Sequence, residues 1–287
     1  MATMKAIKKR ISSVNNTKKI MKAMDLVAAS KLQKAKSRLE AVRPLFDNMK
    51  PVMDCIKAGV GAYDDVPFAA RPHASNIAYV ILTGDRGLCG GYNVNVAREA
   101  MLSMGKNEGS REMLITVGTK GWEYFRRRNK NIVLRTYGAS EITTFETAES
   151  IGNKLATMYT SGEIDEAYLV YTHFESVLSH VPKTEKLLPI SAEADDGAPY
   201  AIADMSYDPD IATFITYAVP MYLNVMIYGA MIESSVCEYA ARMTSMDSAT
   251  GNASDIIDGL TLEYNRKRQS MITQEITEIV SGANALK

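Results

Sequence analysis

A glycine-rich segment, Gly84 to Gly91 (GDRGLCGG), is the part of the chain whose residue types best suit chemistry. It follows Asn76 to Thr83 (NIAYVILT), an apolar run typical of a strand, and precedes a stretch of helical character from Tyr92 to Met104. Strand, glycine-rich turn and helix form a common cradle for nucleotide phosphates. The spacing matches neither GxGxxG nor GxxxxGK[ST], however, and Asp85 would place negative charge close to a phosphate. We therefore favour a backbone turn that needs glycine torsions.

Other side chains suited to catalysis or metal binding are widely spaced. The cysteines are Cys55, Cys89 and Cys237, and the histidines are His73, His173 and His180. The cysteines form no CxxC motif and their number is odd, which predicts reduced thiols. The histidines show no metal spacing such as HExxH, and no catalytic triad or carboxylate pair stands out. The sequence predicts no catalytic residue, no cofactor and no metal. We expect Cys89, in the glycine-rich loop, to lie on an accessible part of the central domain, where a bead could be attached.

Two long heptad-patterned segments at the ends of the chain must position this central part. In the N-terminal seam only Lys18 and Asp25 are polar, and in the C-terminal seam, Ile211 to Met271, only Thr250 and Lys267 are polar. The N-terminal seam comprises Ile11, Val14, Lys18, Met21, Asp25, Ala28, Leu32, Ala35, Leu39, Val42, Phe46, Met49, Met53 and Ile56. A sustained seven-residue apolar repeat predicts a coiled coil. A stack of short helices would need turn signals, and neither Gly nor Pro precedes Pro44.

The order of these segments along the chain predicts their pairing. One helix leads into the central region and the other leads out of it, so the simplest arrangement is antiparallel. The C-terminal segment is longer, and its tip from about Tyr264 should project alone. Polar seam residues such as Asp25 would fix the register of the pair at some cost in stability.

Charge is balanced in sum but not in distribution. The chain has 33 basic and 33 acidic side chains, yet residues 1–50 hold thirteen Lys or Arg against three acids. From Tyr200 onward eleven acids face five bases. A basic helix can indicate nucleic acid. Here an acidic helix in the same chain neutralises much of the charge, and aromatic side chains for base stacking are missing from the polar face, so we expect no nucleic-acid partner.

The middle of the chain alternates between strand and helix patterns, which predicts a mostly parallel, Rossmann-like sheet. After the first strand, the predicted elements are a strand at Met113 to Val117, a helix at Gly121 to Arg128, a strand at Ile132 to Tyr137, a helix at Thr144 to Thr160 and a strand at Glu166 to Phe174. Val177 to Ile190 is predicted as an edge strand in an antiparallel hairpin, with a polar interruption at Pro182 to Lys186. The predicted fold is α/β: a long antiparallel two-helix coiled coil (1–58 and 208–287) plus a central α/β domain (75–192).

One apolar stretch allows two interpretations. Ile211 to Ile232 has no charged residue and is long enough to cross a bilayer. Polar residues such as Asn224 lie within it, and the heptad seam continues into a charged helix. We therefore favour a helix buried by the globular domain or by a partner. Pro220 is expected to kink or break this helix.

Four segments resemble the gamma subunit of the F-type ATP synthase, the rotary central stalk. They are SSVNNTKKIMKAMDLVAASKLQKA, LTGDRGLCGGYN, AARMTSMDSATGNASDII and LTLEYNRKRQSMITQEITEIVSGANAL, and they span essentially the whole chain. The resemblance implies a non-catalytic rotor subunit whose coiled coil lies on the axis of a ring of alpha and beta subunits. It also implies that the α/β domain contacts the epsilon subunit and the c-subunit ring of the membrane sector. A peripheral position on the cytoplasmic side of the bacterial cell membrane follows.

The resemblance also implies contact residues, none of them catalytic. KKIMKAM places Lys22 and Met24 where the family's helix meets a beta subunit. AARM supplies Arg242, and RKRQSMITQE supplies Arg268, Gln269 and Thr273, at positions where the C-terminal helix contacts the ring. Two other classes stay open: a free-standing coiled-coil tether, and a small nucleotide-dependent enzyme that uses the Gly84 to Gly91 loop.

Overall fold

The computed structural model describes residues 4–60, 67–71, 74–107, 109–136, 144–190 and 210–285. The elements are α1 (Met4–Val60), β1 (Asn76–Leu82), α2 (Tyr92–Lys106), β2 (Arg111–Val117), α3 (Thr119–Arg126), β3 (Ile132–Thr136), α4 (Phe145–Thr160), β4 (Glu166–Phe174), β5 (His180–Leu188) and α5 (Ile211–Ala285). Expectations that involve His73, Tyr137 or the side chains of Cys55, Ile56 and Ile211 lie outside this description.

The chain packs as two compact units. One comprises Met1–Ala29 and Met243–Lys287, and the other comprises Ser30–Arg242. Both long helices contribute to both units. The division into domains at 1–58, 75–192 and 208–287 remains a proposal, and the two compact units follow different boundaries.

In the first unit the predicted seams are the buried stripes of both helices. On α1, Ala28 is buried and the other seam positions from Ile11 onward are at least half-buried, while most positions between them are exposed. On α5, Met246, Ala253 and Leu260 are buried at the seam spacing. A narrow apolar stripe at this period is what helix pairing requires.

In the second unit the two helices run antiparallel. The Lys31 ammonium lies 5.7 Å from the centroid of the Tyr239 ring. Further along α1, the Phe46 ring packs so closely on Gly229 that a Cβ there would approach it to 2.3 Å. Residue numbers thus rise along one helix as they fall along the other, which confirms the predicted pairing.

The sheet has five strands in the order β3-β2-β1-β4-β5. The first four are parallel, and β4 and β5 form the predicted antiparallel hairpin. The polar residues from Pro182 to Lys186 do not break the strand: β5 continues through them, and Pro182 pairs with Thr172. A proline is tolerated there since β5 is an edge strand and needs no second hydrogen-bonding partner. The α/β class with a Rossmann-like sheet is confirmed.

Both faces of the sheet are covered. The side chains of α2 and α3, including Val96, Ala100 and Phe125, form one core cluster with strand residues. Those of α4 and α5, including Leu155 and Leu223, form the larger cluster on the other face. By length and composition, α5 includes a segment apolar enough to cross a membrane, with mean hydropathy 1.4, but 67% of this segment is buried within the protein. The charge-free stretch of α5 is therefore a core helix of the α/β domain.

Pro220 does not break α5, so that part of the expectation of a kink or a break is wrong, while a kink stays a prediction. α5 continues through this residue, as α1 continues through Pro44 and Pro51. The lost backbone hydrogen bond and the crowded preceding turn are offset because the neighbours Val219 and Leu223 are fully buried in the core. Tertiary packing of the flanking turns keeps the helix intact.

Candidate functional site

The carboxyl ends of β1 and β4 define the place where an open α/β sheet of this order binds ligands. Here that crevice contains side chains of α5. The β1 ladder ends at the Ile81–Val170 pair, whereas β4 continues to Phe174. The Phe174 amide donates to Glu233 Oε1 at 3.1 Å, and the Thr172 amide donates to Ser234 Oγ at 3.4 Å. Side chains of α5 thus satisfy backbone groups of β4 that β1 leaves without a partner.

The glycine-rich loop packs on the same face of α5. A Cβ added to Gly84 would lie 2.6 Å from the Glu238 carboxylate, so only glycine allows this approach. Arg242 Nη2 lies 2.5 Å from Glu238 Oε1 and donates to the Gly87 carbonyl at 3.3 Å. Both charged side chains are buried, with 10% and 3% exposure for Arg242 and Glu238. We call the loop from Gly84 to Gly91 with Glu238 and Arg242 the loop–helix junction.

The other side of the loop is fastened to the start of α3. Asp85 Oδ1 accepts from the Thr119 amide at 2.9 Å and from its hydroxyl at 2.8 Å. The Lys120 amide donates to the Gly84 carbonyl at 3.0 Å, and Asn93 Oδ1 accepts from the Gly84 amide at 2.8 Å. Asp85 therefore ties the glycine-rich loop to the N-terminus of α3, and its carboxylate would lie close to any phosphate bound at this loop.

The expected need for glycine torsions is only partly right. Gly90 has a positive φ of 55°, but so does Leu88 at 61°. Gly84 does not have a positive φ, and its reason for being glycine is the close approach to Glu238. The sequence pattern could not separate these two causes, because a missing Cβ serves both.

Cys89 is not an accessible attachment point. It is 2% exposed and packs with Tyr92 and Cys237. Burial raises the pKa of both thiols, and burial also raises the pKa of Tyr92. Thiols that are buried and protonated at neutral pH are poor nucleophiles.

Glu233 lies next to His173, whose Nδ1 is 2.8 Å from Glu233 Oε1. Burial raises the pKa of Glu233, while the Phe174 amide and the imidazole act in the opposite direction. This pair adds a second polar contact between the end of β4 and α5.

Of the contact residues predicted from the sequence, all but Arg242 are exposed or half-buried. Lys22 is exposed, forms an ion pair with Asp25 at 2.8 Å, and has a pKa raised by this hydrogen bond and charge. Met24 is half-buried. Arg268, Gln269 and Thr273 are exposed on α5.

Arg242 differs from the others because it is buried in the loop–helix junction. Its guanidinium is held by Glu238 and the Gly87 carbonyl, so direct contact with a partner remains a prediction for this residue. Sequence reasoning missed Glu233, Ser234 and Glu238. The available signal was two glutamates directly after a charge-free helical stretch, with Arg242 four residues beyond the second.

An α/β sheet packed on two long seam-forming helices, with side chains of α5 bonded to the carboxyl end of β4, is typical of a structural subunit. A family model described as ATP synthase matches residues 3–286. The ATP synthase gamma chain of Alkaliphilus metalliredigens is 42% identical over 99% of this chain and 99% of that protein. That of Pelotomaculum thermopropionicum is 39% identical over the full length of both. The chain therefore belongs to the ATP synthase gamma-chain family, a non-catalytic subunit of the central stalk.

Solved structures agree with this assignment. A chain in the central stalk and c-ring structure of the Tetrahymena thermophila mitochondrial ATP synthase is 25% identical, with a TM-score of 0.59 over 80% of this chain and 99% of that one. A chain of the Euglena gracilis mitochondrial ATP synthase is 15% identical, with a TM-score of 0.69 over 99% of this chain and 94% of that one, which shows the shared fold. The resemblance inferred from the sequence motifs is confirmed.

Proposed function

We propose that this chain is a rotor that couples ion-driven rotation of a membrane c-ring to conformational cycling of catalytic beta subunits, in either synthesis or hydrolysis of ATP. The observation that carries the proposal is α5, a single helix of 75 residues that is buried in the α/β core at one end and exposed from Arg268 to Asn284 at the other. A continuous helix transmits displacement along its length, whereas a jointed connection would absorb it.

The exposed part of α5 is suited to contact a surrounding ring. It carries large apolar side chains, namely Met271, Ile272, Ile276, Ile279 and Val280, with exposures from 42% to 71%. An exposed apolar series of this kind marks a protein interaction surface. We assign it to alpha and beta subunits, with Arg268, Gln269 and Thr273 as polar members of the same surface.

Further partners follow from the family. We propose that the α/β domain contacts the epsilon subunit and the c-subunit ring, and that the chain is peripheral to the cytoplasmic side of a bacterial cell membrane. An asymmetric helix pair would present different faces to three beta subunits and so hold them in different states. Lys22 and Met24 are proposed to meet one beta subunit at a time.

Met24→Lys tests this contact. Met24 is half-buried beside the Lys22–Asp25 ion pair, so the longer cationic side chain is expected to reach solvent and to cost less than about 1 kcal/mol of stability. A new charged hydrogen bond to a beta carboxylate would add about 1.5–3 kcal/mol to one rotational state and slow its exchange. The number of ions pumped per ATP should fall in reconstituted vesicles.

Met24→Leu is the matched control, because it preserves the apolar volume without charge. It should retain the wild-type coupling ratio. A normal ratio in the Met24→Lys complex, with both variants folded and assembled, would show that Met24 does not face a beta subunit.

A further inference from the structure

We propose that the loop–helix junction is the element through which torque passes between the α/β domain and α5, with Glu238 and Arg242 as positioning residues for that transmission. The proposal rests on the rotor function above and names the contact that the rotor needs. Three features support it. The junction lies at the carboxyl ends of β1 and β4, its α5 residues lie along one stripe of the helix, and its loop is bonded both to α5 and to the start of α3.

The junction lies near the carboxyl ends of β1 and β4, where open sheets of this strand order commonly hold a ligand. A ligand there would leave α5 attached to the domain mainly through apolar packing. Burial of apolar surface has no preferred direction, so it resists separation of a helix better than rotation about the helix axis. Hydrogen bonds and ion pairs depend on angle and distance, and therefore resist rotation.

The polar residues form a defined face of α5. Ser234, Glu238 and Arg242 follow one another at intervals of four and so lie along a single stripe of the helix. Rotation by one residue, about 100°, would take all three away from β4 and the loop. The Glu238–Arg242 pair lies on one helix and would move as a unit. The hydrogen bonds from Arg242 to the Gly87 carbonyl and from the Thr172 amide to Ser234 would break, and buried polar groups would lose their partners.

The loop itself is held rigidly by the domain. Asp85 binds the start of α3, and the Thr83 hydroxyl donates to the Val117 carbonyl at 3.0 Å and accepts from the Gly121 amide at 2.8 Å. Force applied to Arg242 thus reaches the Gly87 carbonyl, the loop, and then α3 and the sheet. A flexible surface loop would not provide this path.

Gly84→Ala tests the proposal. The new Cβ meets the flexible end of the Glu238 side chain and no backbone atom within the same distance, so the domain is expected to fold with the carboxylate displaced. Displacing the Glu238 carboxylate removes the group that holds Arg242 against the Gly87 carbonyl. Loss of that contact should raise hydrogen exchange of the Gly84–Gly91 amides by about tenfold. In the assembled complex, ion pumping should fall relative to ATP hydrolysis.

Two further variants make the result specific. Gly105→Ala in α2 adds a Cβ that meets nothing within 4 Å, and it should change neither readout. Arg242→Gln removes the charge partner of Glu238 and should reproduce both effects of Gly84→Ala. If Gly84→Ala and Arg242→Gln have the same effects, those effects do not arise from a direct contact between Arg242 and a partner subunit. Gly84 contacts Glu238, and its replacement leaves the Arg242 side chain itself in place.

The outcomes separate this proposal from the rotor function. Unchanged exchange in Gly84→Ala, or increased exchange with a wild-type ratio of pumping to hydrolysis, would overturn the junction as the torque path. A merely structural role predicts poorer folding or assembly but a normal ratio in the complexes that do form. Failure of the wild-type chain itself to couple pumping to hydrolysis would instead contradict the rotor function.

Discussion

Replacing Gly118 with alanine is expected to lower the free energy of unfolding of the α/β domain by roughly 4 kcal/mol or more. Gly118 has φ 94° and ψ 144°, a conformation reserved almost entirely for glycine. A Cβ there would also lie 2.0 Å from the Thr83 carbonyl oxygen, which is backbone at the start of the glycine-rich loop. Torsional strain and steric clash therefore act together, and neither can be relieved by a side-chain rotation.

The measurement uses the single tryptophan of the chain, Trp122, which lies on α3 four residues after Gly118. Thermal unfolding followed by its fluorescence should shift down by roughly 8–16 °C for a domain of this size. Gly109→Ala is the matched control, because Gly109 has the same φ of 94° with nothing within 4 Å of its Cβ. If the two variants unfold at the same temperature, a clash between the Cβ at position 118 and the Thr83 carbonyl adds nothing to the torsional strain that both share.

Asp165→Asn is the second substitution with a large expected effect, about 3 kcal/mol. Asp165 is buried at the start of β4. Its Oδ2 accepts from the Ser75 and Asn76 amides at 3.0 Å each, and its Oδ1 accepts from Arg71 Nη1 at 3.1 Å. An asparagine amide must turn a donor toward either the two backbone donors or the guanidinium. One set of hydrogen bonds is therefore lost whichever way the amide is oriented.

The pH dependence provides an independent check. Burial alone would raise the pKa of Asp165, but the Asn76 and Ser75 amides and Arg71 outweigh burial and lower it. A depressed folded-state pKa contributes stability that is complete above the unfolded pKa, about 3.9, and is lost as the pH falls through the folded value. The stability difference between wild type and Asp165→Asn should therefore shrink on acidification.

The control for this second prediction is Glu163→Gln, which makes the same chemical change at an exposed position two residues away. Its effect at neutral pH should stay below about 0.5 kcal/mol. An equal cost for both substitutions, or a difference between wild type and Asp165→Asn that does not depend on pH, would show that the carboxylate contacts do not stabilise the fold.

The sequence was sufficient for the long helices and most of the sheet because periodicity reports burial directly. Seam positions such as Ala28 and Leu260 are buried, and the hairpin of β4 and β5 has the predicted antiparallel direction. Pro220 shows the limit of this reasoning. Local propensity predicts a break there, but the packing of residues distant in sequence decides whether a helix continues.

The loop–helix junction could not be predicted from spacing alone. Gly84 and Glu238 are far apart in the chain, and only the fold brings the missing Cβ of one against the carboxylate of the other. The motif AARM singled out Arg242, but its burial beside Glu238 depends on the same tertiary contact. The exposed positions Arg268, Gln269 and Thr273 are accessible as predicted, and their contacts with a partner remain predictions.

Rotation is the most direct test of the central claim. Leu178 is 81% exposed between β4 and β5, so Leu178→Cys provides an attachment point that the buried Cys89 and Cys237 do not. The chain with both Leu178→Cys and Cys55→Ser is assembled with alpha and beta subunits, and a bead is attached at position 178. When ATP is supplied, the bead should turn in one direction in discrete steps. Complexes that hydrolyse ATP, hold the bead firmly and show no rotation would contradict the rotor function. They would favour the alternative of a coiled-coil tether.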